Sequence, residues 1–399
     1  MDIVERLTRF NAGREAERLT LKYRAMRASP FAFFRGTAHL FWEDAHAAHD
    51  TLPDSPVVWA CGDLHLENFG SYRGENDLAY FDLNDFDESA RAPLTWEVAR
   101  FVTSIFTAAP TLRLDAATAT GLATIFLGAY RSALIDGKAR WIERATATGM
   151  VRTLLKQVKQ RTRATILESR TVVQDGKRQL RIDGRRALGV TTVQRKQIAD
   201  CLRAFGESQR DPSFYTVLDV ARRVAGTGSL GLQRYIVLVR GKGTPDGAML
   251  LDVKEARASN LAPFAPTTQP VWPSEPIRIV TTQRRMQAIA PAFLHAVRIE
   301  RTGFVMRELQ PTDDRLRLKD AIGHPQRLRR VMETMGRLTA WAELRSSGRH
   351  DVAHADALSA FARTGGWRQT LLKYGRVYAH QVNADYQRFV VAHEDDVIH

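Results

Sequence analysis

The sequence predicts an α+β protein of two lobes: a small antiparallel β lobe over residues 213–312, and a larger, mainly helical lobe made by the chain on either side of it. Three observations carry this. β-rich runs beginning near 217, 235 and 249 follow one another with glycine-containing segments between them. Apolar residues recur at helical spacing over 96–112, 122–134 and 355–389. A chain of 399 residues, 44% hydrophobic and 26% charged, is long enough for two lobes, and no internal repeat or low-complexity linker divides it.

Residues 1–28 mix many charges with Leu7, Phe10, Leu19, Leu21 and Met26, which predicts a short amphipathic helix ended by Ser29-Pro30. The aromatic run 31–36 reads as core, except for Arg35, whose guanidinium calls for a planar anionic partner. Segment 1–56 is expected to pack on the large lobe. An apolar run, 57–61, then delivers the chain to Gly62-Asp63, and a second, 79–81, delivers it to Asp82 through Glu88. Gly70, Gly74 and Asn76 lie between and suit a hairpin. Two acidic clusters at strand ends repel unless a cation sits among them. Mg²⁺ takes its oxygens from one or two carboxylates, an amide and substrate phosphates, so Asn68 and Asp85 make a plausible metal pair. Asp63, on the same loop as Asn68, is placed to orient or deprotonate a nucleophile.

Residues 62–68, Gly-Asp-Leu-His-Leu-Glu-Asn, resemble the catalytic loop of the aminoglycoside phosphotransferase and choline kinase branch of the protein-kinase-like superfamily. Residues 84–88, followed by Trp96-Glu97-Val98-Ala99-Arg100, are similar to that branch's metal-binding aspartate segment and the helix after it. The resemblance implies Asp63 as catalytic base, with His65 and Arg35 in the catalytic set, Asn68 as a metal ligand and Asp85 as the principal Mg²⁺ ligand; Asp82 and Asp87 are rivals for that last role. The longer pattern, from Ser29-Pro30-Phe31 through Phe81-Asp82 to Glu88, resembles the DUF2252 family over nearly the whole chain.

The second informative stretch holds Gly226, Gly228, Ser229 and Gly231 in a Gly-x-Gly-x-x-Gly. A Rossmann turn with this pattern opens a helix, whereas β-rich residues follow here. Strand, glycine loop, strand, turn, and a strand with a lysine near its end resemble a kinase small lobe. Lys254 is then the lysine that neutralises the α- and β-phosphates under the glycine loop. The helix expected next, 279–297, has no glutamate at its front, which leaves Gln283, Glu275 and Glu255 as candidate partners for Lys254. Residues 303–311, with Glu308 and Leu309, resemble the strand and hinge that hold adenine by backbone groups.

In ordinary kinases the phosphate loop precedes the catalytic loop; here it follows. A circular permutation resolves this, with residues 335–345 resembling the helix that normally precedes the catalytic loop, and a differently threaded N-terminal section is the alternative. The expected parts are 1–56, 57–212 carrying the catalytic and metal loops, 213–312 binding nucleotide, and 313–399 completing the large lobe. The resemblance implies an ATP- and Mg²⁺-dependent phosphotransferase that moves the γ-phosphoryl group to a hydroxyl or amine acceptor, a small molecule before a protein. Three readings stand beside it: AMP transfer with the nucleotide reversed, nucleotide binding without catalysis, and nucleic-acid binding. The last would use the basic segment 152–186 of a chain whose net charge is +14. No apolar run approaches the roughly 20 residues of a membrane span. Two cysteines and an N-terminus unlike a signal peptide point to the cytoplasm.

Overall fold

The computed structural model describes residues 2–226, 228, 230–243, 247–311 and 315–395. Helices α1 (Ile3–Asn11) and α2 (Ala16–Met26) replace the single helix predicted over 1–28. Helix α2 stops short of Ser29-Pro30 as expected, but that pair also starts a helix, α3 (Pro30–Gly36). The Ser29 hydroxyl accepts the Ala32 N–H at 3.1 Å and proline tolerates the first turn, so the same residues end one helix and cap the next. Helix α4 (Ala38–Ala47) completes the N-terminal segment.

Strand β1 (Val57–Ala60) leads into the first acidic cluster. The predicted hairpin is made by β2 (Phe69–Arg73) and β3 (Ala79–Leu83), while β1 pairs outside it with β4 (Ala90–Pro93). Helices α5 (Leu94–Ala108) and α6 (Ala116–Asp136) fall on the predicted apolar stretches. The sequence predicts further helix over 138–165; helix begins there only at α7 (Gly149–Gln160), and a second, α8 (Arg163–Arg170), starts where Thr162 caps it by accepting the Thr165 N–H at 3.2 Å. The turn dipeptides Asp175-Gly176 and Asp183-Gly184 predict a small hairpin over 172–186, and strands β5 (Thr171–Gln174) and β6 (Lys177–Leu180) close it over the first of them.

There follow β7 (Ala187–Leu188), α9 (Thr192–Glu207), β8 (Val217–Arg223), β9 (Arg234–Val239), β10 (Met249–Glu255), α10 (Glu275–Met286), β11 (His295–Ile299) and β12 (Thr302–Glu308). Helix α10 corrects the prediction of helix over 279–297: Pro276 sits in its first turn, and Pro291 lies in the connection to β11. Among the described residues the six strands β7 to β12 form one antiparallel sheet in the order β11-β12-β10-β9-β8-β7. Side chains alternate across it. Tyr235, Val237, Val239, Leu251 and Val253 pack with Ile198 and Leu202 of α9, whereas Ile236, Leu238 and Leu250 pack on the other side with Leu167 of α8. Asp252 and Lys254 share the side of Leu250, and this parity turns them toward the rest of the protein.

Helices α11 (Pro325–Ser346), α12 (Ala355–Arg363) and α13 (Trp367–Glu394) end the chain, in line with the helical C-terminal part. Helix α11 runs against α6 so closely that a Cβ on Gly336 would stand 2.4 Å from the Phe126 carbonyl oxygen. The architecture is thus mixed α+β, with a large core shared by the helices and β1 to β4, and two smaller cores on the faces of the six-stranded sheet. No helix among the described residues is long and apolar enough to cross a membrane.

Candidate functional site

A cavity of about 460 Å³ lies between the six-stranded sheet, the loops after β1 and β3, and the N-terminal helices. Strand β1 brings Asp63 to it through Gly62. The φ of Gly62 is +82°, and a Cβ there would stand 1.8 Å from the Glu88 carbonyl oxygen, so only glycine lets the two acidic loops approach this closely. Helix α5 fixes the loop from below. Glu97 accepts the Gly62 N–H at 2.9 Å, and Arg100, one turn on, donates from Nε to Asp63 Oδ1 at 2.9 Å while its Nη2 contacts the same oxygen. Arg100 is fully buried with its guanidinium over the rings of Phe34, Phe41 and Trp42, the nearest centroid 4.2 Å away. Burial raises the Asp63 carboxyl above the ordinary aspartate range, and Arg100 opposes that rise.

Asn68 joins the two loops: its Nδ2 donates to the Asp63 carbonyl at 2.9 Å, and its Oδ1 accepts the Asp85 N–H at 2.8 Å. One lone pair of that oxygen is left for a cation. Asp85, with 53% of its side chain exposed, projects into the cavity, and Asp87 stands beside it. The Lys254 ammonium reaches across from β10 to contact Asp87, with Asp85 Oδ2 at 3.7 Å. Burial works to raise Asp85, but Lys254, Arg307 and Arg234 hold it below the usual range; Asp87 is pushed up by burial and by Asp85. Among the described residues no point gathers three or more His, Cys, Asp or Glu side chains. Two carboxylates and an amide oxygen still suit Mg²⁺, which fills its remaining positions with water and phosphate oxygens.

His65 is buried, which keeps its imidazole neutral well below the ordinary pKa. Its Nδ1 accepts the Glu67 N–H at 3.0 Å, so the proton is on Nε2, 3.8 Å from Asp63 Oδ2. Arg35 lines the cavity and finds its planar anion in Glu67. Gly226 and Gly228 line the cavity, Gly231 lies behind them against the Arg14 side chain, and Ser229 lies outside the described residues.

Other predicted residues are elsewhere. Asp82 is buried within β3, where its Oδ2 pairs with Arg345 at 3.0 Å, so it is no rival for a metal in this cavity. Glu308 and Leu309 do not line the cavity, and their N–H groups are donated to the carbonyls of Ala292 and Leu250 at 3.0 and 2.9 Å. Of the candidate partners of Lys254, Gln283 bonds Gln287, Glu275 pairs with Arg278, and Glu255 pairs with Arg257. Lys254 pairs with Asp87 instead.

Several residues that hold the site carry no local motif. Arg14 donates to the carbonyls of Leu230 at 2.9 Å and Gly228 at 3.2 Å, and Arg18 donates to that of Leu232, so the turn between α1 and α2 and the start of α2 pin the glycine segment. Arg278 of α10 donates to the carbonyls of Asp87, Ser89 and Arg257 at 2.8, 2.6 and 2.9 Å, tying that helix to the acidic loop.

Beneath the site, burial pushes the Glu97 carboxyl up to about 7, and Glu343 well above its ordinary range while it accepts the Tyr130 hydroxyl at 2.5 Å. The folded protein holds the Glu97 proton up to about pH 7, whereas the unfolded chain releases it near 4.5, so the folded state binds more protons between these values. Its stability therefore falls as pH rises through that window. Glu97→Gln keeps the acceptor for Gly62 and removes the titration. Urea unfolding should find the variant more stable than the native protein at pH 8, by on the order of 3 kcal/mol, and little changed at pH 4.5. Equal stability at pH 8 would refute the buried proton.

A family model described as "Uncharacterized protein conserved in bacteria (DUF2252)" matches residues 14–392. No curated protein and no solved structure matches the chain. The match opens on the arginine that pins the glycine segment and runs into α13, so it takes in nearly every wall of the cavity, and the chain belongs to the DUF2252 family.

Proposed function

We propose that the protein is an ATP- and Mg²⁺-dependent transferase with a kinase-like, circularly permuted fold, moving a phosphorus-bearing group of ATP to a hydroxyl or amine acceptor. The observation that carries this is the meeting of Lys254 with Asp85 and Asp87, from segments about 170 residues apart, at a cavity that Asp63 also lines. Strand, glycine segment, strand, lysine-bearing strand, helix and two further strands support the kinase-like reading of β8 to β12. The position of α11 after this sheet, with Met335 through Leu344 largely buried in the main core, supports the permutation.

In this reading Asp63 accepts the proton of the attacking group, since its raised carboxyl pKa brings it closer to working pH and Arg100 fixes its direction. Asp85, Asp87 and Asn68 hold the metal. A Mg²⁺ held by these residues would supply charge neutralisation for the phosphate oxygens. Lys254 exchanges Asp87 for a phosphate oxygen. The γ-phosphoryl group is transferred if the base lies toward the end of β12, and AMP is transferred if the nucleotide is reversed. The charge around Asp252, argued below, favours the second.

Asp63→Asn tests the chemistry separately from binding. With an acceptor found by screening for ATP consumption, the variant should bind Mg·ATP within about threefold of the native protein and turn it over at least about 100-fold more slowly. Circular dichroism should confirm that it is folded. Unchanged turnover in a folded variant would remove Asp63 from the reaction.

A further inference from the structure

On the cavity side of the sheet, the residue two before Lys254 is Asp252, where the Val-Ala-Ile-Lys pattern of kinases has alanine. Its carboxylate is 2% exposed and is gripped by Arg234 at 2.8 and 2.5 Å and by Arg223 at 2.8 Å, with Arg307 at 3.9 Å. Strand register accounts for the convergence, because Arg307 lies opposite Asp252 and Arg234 opposite Lys254. Three guanidinium groups against one carboxylate leave a net charge of about +2. Arg315, which has no carboxylate partner among the described residues, stands beside them and lines both this pocket and the main cavity. The free volume among these side chains is about 20 Å³, and the nearby N–H groups of Glu308 and Leu309 are already donated. An adenine ring finds neither space nor an apolar slot there, and phosphates would lie on the other side of Arg234, Arg307 and Arg315, which also line the main cavity of about 460 Å³. Paired guanidinium forks do match phosphate oxygens.

The opposite end of the cavity differs. Phe10, Ala38 and Leu232 supply apolar surface beside the pinned glycine segment, among Arg9, Arg14 and Arg257 of the same cavity wall; the Phe10 ring already stacks on His39, centroids 3.6 Å apart, with the Arg14 guanidinium 4.9 Å from its centroid. Asp63, Asp85, Asp87 and Lys254 line the same cavity, with Lys254 against Asp87.

We propose that Arg234, Arg307 and Arg315 form a subsite for the terminal phosphates of ATP, so that the nucleotide lies with its base against Phe10 and Leu232 and its α-phosphorus beside Asp63 and Asp85. This rests on the nucleotide-transferase reading and names the group transferred. The acceptor oxygen or nitrogen forms a bond to the α-phosphorus and passes its proton to Asp63. The bond from that phosphorus to the oxygen bridging to the β-phosphorus breaks, its electron pair leaving with pyrophosphate, and AMP remains on the acceptor.

Calorimetry with ATP, AMP and inorganic tripolyphosphate in Mg²⁺, on the native protein, Arg315→Ala and Arg307→Gln, tests the subsite, and photolabelling with 8-azido-ATP tests the orientation. Tripolyphosphate should bind the native protein, and either substitution should weaken ATP and tripolyphosphate at least about tenfold while leaving AMP unchanged. The label should fall on residues 9–14, 36–38 or 232. Arg315→Ala is the cleaner variant, since no carboxylate loses a partner, and melting curves identify a variant that fails to fold. Binding of ATP that both folded variants leave unchanged, or a label on residues 307–311, overturns the inference and spares the transferase reading. Failure of the native protein to bind either ATP or tripolyphosphate overturns both.

Discussion

Arg100→Met is expected to lower the stability of the protein by about 3–5 kcal/mol, the cost of removing one partner of a buried ion pair. Methionine keeps most of the stem packed against Phe34, Phe41 and Trp42 but removes the charge those rings face. It also strips Asp63 of its cation partner and the Phe34 carbonyl of a donor at 3.3 Å. Asp63 keeps 22% of its side chain exposed and can recover some water, which places the effect toward the lower end of that range. Urea unfolding at pH 7 measures it. A loss below about 1 kcal/mol would mean that the pair is solvated and that Asp63 is positioned by its backbone alone. The same variant should lose activity together with Asp63→Asn, since an unheld carboxylate no longer points at the acceptor.

How much of this was legible in the sequence depended on the range of the contact. The five-residue step from Asp63 to Asn68 is local: the amide closes back on the Asp63 carbonyl, and a loop motif records such geometry well. Lys254 was found because a strand, a glycine segment and a further strand precede it in order. Asp82, Asp85 and Asp87 could not be separated by composition, since all are acidic and adjacent; the hairpin's register decides, leaving Asp82 inside β3 and releasing the other two beyond its end. The helix predicted over 279–297 starts about one turn late and overruns Pro291, whereas α10 begins at Glu275 with Pro276 in its first turn and ends at Met286. The hinge assignment to Glu308 and Leu309 failed on backbone hydrogen bonds, which leave no trace in residue type. Arg14 and Arg18 reach partners 214 or more positions away, and Arg278 reaches the acidic loop across about 190, with no local pattern to announce either contact. The arginines around Asp252 were plain as charges, but only strand pairing shows that they meet.

That the sheet and the acidic loops make one nucleotide site is tested by ATP affinity with and without Mg²⁺ on the native protein, Lys254→Ala and Asp85→Asn. Lys254 is buried along its stem and faces Asp87, so in the proposed site its loss would remove a charge-assisted contact to phosphate, and Asp85→Asn would remove a carboxylate proposed for the metal. Calorimetry should show that Mg²⁺ strengthens ATP binding in the native protein and that each substitution weakens Mg·ATP by about 100-fold, equivalent to about 2.7 kcal/mol. The Asp85 variant should also lose most of its dependence on Mg²⁺. Absence of ATP binding in the native protein, with or without Mg²⁺, or binding that neither substitution alters, would contradict the account.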